Sequence, residues 1–118
     1  MVATNHIRAR RCGDVLVVGF TRPDVIDPVY IRSAGDEMYH LVRDLDDPRV
    51  VVDFEGIRTM SSMSIAVVLG LKRVIDKRNG RLCVANVLDE IRGVFRLTRA
   101  TKKLGFFADT DQAVASVR

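Results

Sequence analysis

Nowhere in this chain does an apolar run approach the roughly 18 residues that a membrane-spanning helix needs, and the stretch from Met1 to Arg11 is polar, without a signal-peptide core. A cytoplasmic protein without membrane contact is expected. Cysteine is scarce: Cys12 and Cys83 lie far apart with no second pair, which argues against a disulfide framework and for reduced packing thiols. The two histidines, His6 and His40, do not combine with these cysteines at zinc-site spacings, so neither a metal nor another cofactor is expected. Also missing are a Gly-x-Ser-x-Gly nucleophile turn and a glycine-rich phosphate loop, and no histidine falls in an element that places it as base for a serine. The chain is therefore not expected to be an enzyme. It has no repeat, linker or low-complexity tract either.

What is present is a globular balance. Apolar residues make up 47% and charged residues 29% of 118 residues, enough for one domain with an ordinary core and too little for two. The formal net charge of +4 permits an acidic partner. Much of the excess sits in Arg92, Arg96, Arg99, Lys102 and Lys103, without the interleaved aromatics of single-strand binders. That run reads as a solvated helix face, and no direct nucleic-acid contact is expected.

The apolar pattern sets the order of elements. Residues 1–5 are expected to be disordered, 6–11 to form an edge strand, Cys12-Gly13-Asp14 a hairpin turn and 15–20 a stronger strand. Asp27 caps a helix with Pro28 at its first position, and Ile31, Ala34, Met38, Leu41, Val42 and Leu45 keep its period until Asp46-Asp47-Pro48. Residues 50–54 are a buried strand, 62–78 a helix and 82–86 a strand. A helix then opens at Val87 or Leu88, with Ile91, Val94, Phe95 and Thr98 on one face. A strand over 104–108 and a helix over 111–117, capped by Thr110 or Asp109, close the chain. This alternation predicts an α/β single-domain fold: a mainly parallel sheet with an antiparallel N-terminal edge strand and helices in βα alternation.

The organising stretch runs from Val50 to Gly80. A serine cluster, Ser61-Ser62-Met63-Ser64, opens its helix, since a serine hydroxyl can accept from an N–H left over at a helix start. Lys77, Arg78, Asn79 and Gly80 mark its end, with Gly80 as a left-handed cap. Val67, Val68, Leu71, Val74 and Ile75 form the stripe that should cover the sheet. Met63, Ala66, Leu69 and Gly70 lie well round from it, so Leu69 is expected to be at least partly exposed and more tolerant of truncation than Leu71. A serine pair beside a small apolar surface is a place to build a charge-controlled docking site.

This stretch resembles the STAS domain family, which includes the bacterial anti-sigma factor antagonists. The resemblance extends from about Val15 to the C-terminus. It rests on Val51-Val52-Asp53-Phe54, on Met60-Ser61-Ser62-Met63-Ser64-Ile65 against the family's Asp-Ser-Ser/Thr-Gly-Leu, on the Asn79-Gly80 turn, and on Phe95-Arg96-Leu97-Thr98 and Asp111-Gln112-Ala113 near the end. Ser61 stands where the family has an acid, Met63 where it has a second Ser or Thr, and Ser64 where it has glycine. The resemblance implies a phosphorylation site at Ser62, with Ser61 the second choice, and a partner surface of Ser61, Ser62, Met63, Ala66, Leu69 and Gly70. It implies an anti-sigma factor with a kinase-like ATP-binding domain as partner, and leaves room for a phosphatase and a homo-oligomer. Two blander readings stand beside it: serines that only cap, or an unmodified scaffold or oligomerisation module in a signalling complex.

Overall fold

Within the main sheet, strand and helix alternate after residue 15, and a computed structural model describes residues 2–3, 6–96 and 104–118. Strands β2 (Ile7–Cys12) and β3 (Val15–Phe20) form an antiparallel hairpin whose tight turn needs the left-handed φ of +63° that Gly13 supplies. Beyond them β5 (Arg49–Asp53), β7 (Arg81–Ala85) and β8 (Gly105–Phe107) pair in parallel, with helices α1 (Pro28–Val42), α2 (Ser62–Lys77) and α3 (Asp89–Phe95) as the crossovers. The antiparallel edge extends one strand further than expected. Val2–Ala3, within the segment expected to be disordered, pair with β2 as β1 and give the order β1-β2-β3-β5-β7-β8.

Each buried strand is apolar on both sides because both faces of the sheet are covered. Leu16, Val18, Val50, Val52, Leu82 and Val84 join the core beneath α1, α2 and α3, while Val15, Val17, Val51, Cys83 and Ala85 pack under α4 (Thr110–Val117). Burial pushes the Cys83 thiol up, only partly opposed by a hydrogen bond with Ser116, as suits a packing thiol. The caps follow the sequence. Asp27 accepts from Val29 N–H at 3.0 Å ahead of Pro28, and Asp109 from Gln112 N–H at 2.8 Å. Thr98, Arg99, Lys102 and Lys103 lie outside the described residues.

Three expectations are corrected. Helix α1 stops at Val42: Leu45 N–H turns back to Val42 C=O, and Arg78 Nε donates to Leu45 C=O at 2.6 Å, so the chain leaves the helix a turn early. At the end of α2 the left-handed residue is Asn79, with φ +59°, and Gly80 serves a different need. A Cβ there would lie 2.2 Å from Pro48 O.

The third correction concerns the phase of α2. Its buried residues are Ser64, Ile65, Val68, Leu69, Leu71 and Ile75, while Val67 and Val74 are half-buried. Leu69 is only 7% exposed, against 5% for Leu71. Helix α1 packs along one flank of α2 and the core lies beneath it, so one stripe understates its burial. Leu69→Ala and Leu71→Ala should therefore each cost about 2 to 5 kcal/mol. In paired urea titrations the two losses should agree to within about 1 kcal/mol.

Candidate functional site

The start of α2 is held from outside the helix. After β5 the chain buries Phe54 and Ile57 on either side of Gly56, whose φ is +84°. Two-residue strands then pair in parallel, β4 (Asp24–Val25) with β6 (Thr59–Met60). Arg58 N–H donates to Pro23 C=O at 2.7 Å and Ser61 N–H to Val25 C=O at 3.1 Å. The Asp24 carboxylate accepts from Thr59 Oγ1 at 2.8 Å and from Arg58 Nη2 at 3.3 Å. A short clasp thus fixes where α2 begins.

Ser61 is the cap. With extended backbone angles, its hydroxyl accepts from Ser64 N–H at 3.3 Å and its carbonyl from Ile65 N–H at 3.2 Å. Ser64 is fully buried, and its hydroxyl donates back to Ser61 C=O at 2.6 Å, so a side chain where the resemblance has glycine brings no unsatisfied polar group. Ser62 is the first helical residue and is exposed. The N–H groups of Ser62 and Met63 have no acceptor among the described residues, and the first turn of α2 carries no acidic side chain. This end of the helix is polarised to receive negative charge.

Apolar residues follow Ser62 along α2. Met63 and Gly70 are half-buried and Ala66 is exposed, whereas Leu69, assigned to this face by its spacing, belongs to the core. Missing from that assignment is the contribution of the segment from β4 into α1. Ile26 and Val29, 56% and 75% exposed, lie beside the clasp, Ile26 directly after the residue that binds Ser61 N–H. Farther along, α1 and α2 enclose a groove of about 250 Å³ whose lining includes Gly35, Tyr39, Met63, Val67, Gly70 and Val74. Val29 was recoverable from the sequence, because it falls off the Ile31-Ala34-Met38 stripe. The groove was not, since it depends on how the two helices meet.

A second polar group lies at the ends of β5 and β7. Asn86, at φ +60°, donates through Nδ2 to Asp53 Oδ1 at 2.8 Å and to Thr110 Oγ1 at 3.2 Å, and Thr110 Oγ1 donates to Asp53 Oδ2 at 3.3 Å. Asp53 also accepts from Glu55 N–H at 3.0 Å. With its oxygens so engaged, this carboxylate ties two strands to α4. The histidines stand elsewhere: His6 pairs with Glu37 at 2.5 Å, and His40 Nδ1 lies 2.8 Å from Asp36 O on α1. Among the described residues no group of His, Cys, Asp or Glu could hold a metal ion, and no helix is long and apolar enough to cross a membrane.

The family model for the STAS domain matches residues 13–113. The chain belongs to the STAS domain family. No curated protein matches it by sequence. Solved structures of the same fold include an anti-sigma-factor antagonist (STAS) domain protein from Planctomyces limnophilus, at 15% identity, with a TM-score of 0.85 over 94% of this chain and 97% of that one. A putative anti-sigma factor antagonist from Thermotoga maritima, at 12% identity, gives 0.80 over 95% and 94%. The Bacillus cell fate determinant SpoIIAA in its phosphorylated form, at 16% identity, gives 0.70 over 95% and 99%. In this STAS domain the cap of α2 is the hydroxyl of Ser61.

Proposed function

We propose that this STAS domain is a non-enzymatic, cytoplasmic partner-switching protein of the anti-sigma factor antagonist kind. Its partner is an anti-sigma factor with a kinase-like ATP-binding domain, and phosphorylation of Ser62 releases that partner. The observation that carries the reading is the exposed Ser62 hydroxyl at the first position of α2, with unfilled N–H groups behind it and apolar surface beside it. A phosphate there adds about −1.5 to −2 charges where the N–H groups and the macrodipole stabilise an anion, so the free domain keeps its fold. A partner packed over Ser62, Met63, Ala66, Gly70, Ile26 and Val29 would have to strip water from that phosphate against an apolar surface, which is costly. Solved SpoIIAA in a phosphorylated form shows that this fold tolerates the modification in that protein.

Ser61 plays the structural part. Ser61→Ala removes the cap to Ser64 N–H and should cost about 0.5 to 2 kcal/mol in a thermal melt, while the folded variant binds its partner nearly as well as wild type. The test of the reading is capture of partners from the protein's own cells on unmodified and Ser62→Asp baits, with identification by mass. A protein with a kinase-like ATP-binding domain on the first bait and absent from the second supports it. The same set of proteins on both baits contradicts the switch and leaves the scaffold.

A further inference from the structure

We propose that the cleft over β2 and β3, on the face of the sheet opposite α1 to α3, binds a small phosphate ester with a hydroxyl-bearing body. The proposal is independent of the Ser62 switch, which lies at the start of a helix on the other face. It begins with a mismatch of lengths. Three helices cover one face of the sheet, but α4, only eight residues long, packs mainly on β5 and β7 and leaves β2 open on its side. There the cleft encloses about 350 Å³, within the range of small-molecule sites, and its lining includes Arg8, Arg10, Val17, Gly19, Glu55 and Gly56.

Strand alternation explains the lining. Ile7 and Ala9 turn into the core beneath α1, so Arg8 and Arg10 stand two residues apart on the open face, both exposed. Neither guanidinium has a carboxylate partner among the described residues. Arg8 Nη2 donates to Phe20 C=O at 3.2 Å and Arg10 Nη1 to Cys12 Sγ at 2.8 Å, contacts that steady each fork while using one of its five donors. Residues two apart on a strand are about 6.5 to 7 Å apart, a span over which two forks can converge on one phosphate. A phosphate dianion matches the charge of the pair, whereas a carboxylate would balance only half of it.

The far end of the cleft selects the body of the ligand. A Cβ on Gly19 would crowd Asp53 O at 3.0 Å, whereas one on Gly56 would meet nothing within 4 Å, so the cleft is open beside Gly56. The Asp53 carboxylate is engaged by Asn86, Thr110 and Glu55 N–H, but Glu55 itself is exposed and lines the same cleft. Anion acceptors at one end and a free carboxylate at the other suit a phosphate whose body donates hydroxyls to Glu55.

The test is an amide NMR titration of the intact chain at constant ionic strength with inorganic phosphate, ribose 5-phosphate and ribose as probes. Ribose 5-phosphate should give saturable shifts around residues 8–10, 17–19 and 55–56, bind more tightly than inorganic phosphate, and leave ribose without effect. Arg8→Ala combined with Arg10→Ala removes exposed side chains and should weaken ribose 5-phosphate about tenfold or more, on the usual strength of charge-assisted pairs. Glu55→Gln should narrow the advantage of ribose 5-phosphate over phosphate. Shifts that never saturate, that survive in the double variant, or that centre on the start of α2 would overturn the site. Equal binding of phosphate and ribose 5-phosphate would overturn the ester.

Discussion

Ser62→Asp should fold like the wild type and fail to hold its partner. The residue is exposed at the first position of α2, and no acidic side chain occupies that turn, so a carboxylate there meets two free N–H groups and the positive end of the helix. Its melting temperature should match or slightly exceed that of the wild type, because an anion near a helix start contributes about 0.3 to 1 kcal/mol. Binding moves the other way. A charge buried in an interface without a counter-ion costs about 2 to 5 kcal/mol, which lowers affinity thirtyfold or more. Ser62→Ala separates charge from contact: it should melt near the wild type and keep its affinity, since alanine favours the helix interior and adds no charge. Calorimetric titration of the three proteins against the captured partner, beside thermal melts, measures both effects. Equal affinity for Ser62→Asp and wild type would remove Ser62 from the switch.

Gly80→Ala should be among the most damaging single changes in the chain. The new Cβ would sit 2.2 Å from Pro48 O, 2.7 Å from Pro48 Cγ and 2.8 Å from Ile75 Cγ2. Pro48 cannot simply retreat, because its carbonyl accepts from Arg81 N–H at 2.8 Å, at the point where β5 and β7 begin to pair. Overpacking of about 1 to 3 kcal/mol and a lost hydrogen bond of about 1 kcal/mol combine to roughly 3 kcal/mol. Gly93→Ala provides the contrast. It lies within α3, a Cβ there would meet nothing within 4 Å, and the change should stabilise by about 0.5 to 1 kcal/mol. Urea titrations should show opposite signs; a destabilised Gly93→Ala or a neutral Gly80→Ala would contradict the packing.

Most of the frame was legible because its signals are local. Asp27-Pro28, Ser61 and Asp109 announce helix starts through the reach of one side chain to a nearby N–H, and each acts so here. The buried strands declared themselves by apolar runs that only a sheet covered on both faces would carry. What failed depends on neighbours distant in sequence. Leu69 joins the main core through neighbours distant in sequence, which the period of α2 cannot express. The β4–β6 clasp is built of two-residue strands too short to show any period. Gly80 suggested a left-handed cap by composition, but Asn79 takes that conformation and Gly80 answers to Pro48. Of the candidate site, the serines and Met63, Ala66 and Gly70 could be read along one helix. Ile26 belongs to the segment between β4 and α1, Val29 and one wall of the groove to α1 itself, and the Asp53-Asn86-Thr110 tie joins three segments of the chain.

The most direct measurement is calorimetric titration of the captured partner with two preparations of the chain, one unmodified and one carrying phosphoserine at position 62 alone, both verified by mass and by thermal melt. Tight binding of the unmodified protein, with a loss of thirtyfold or more on phosphorylation and no loss of fold, is the predicted result. Binding that is equally tight in both preparations would contradict it.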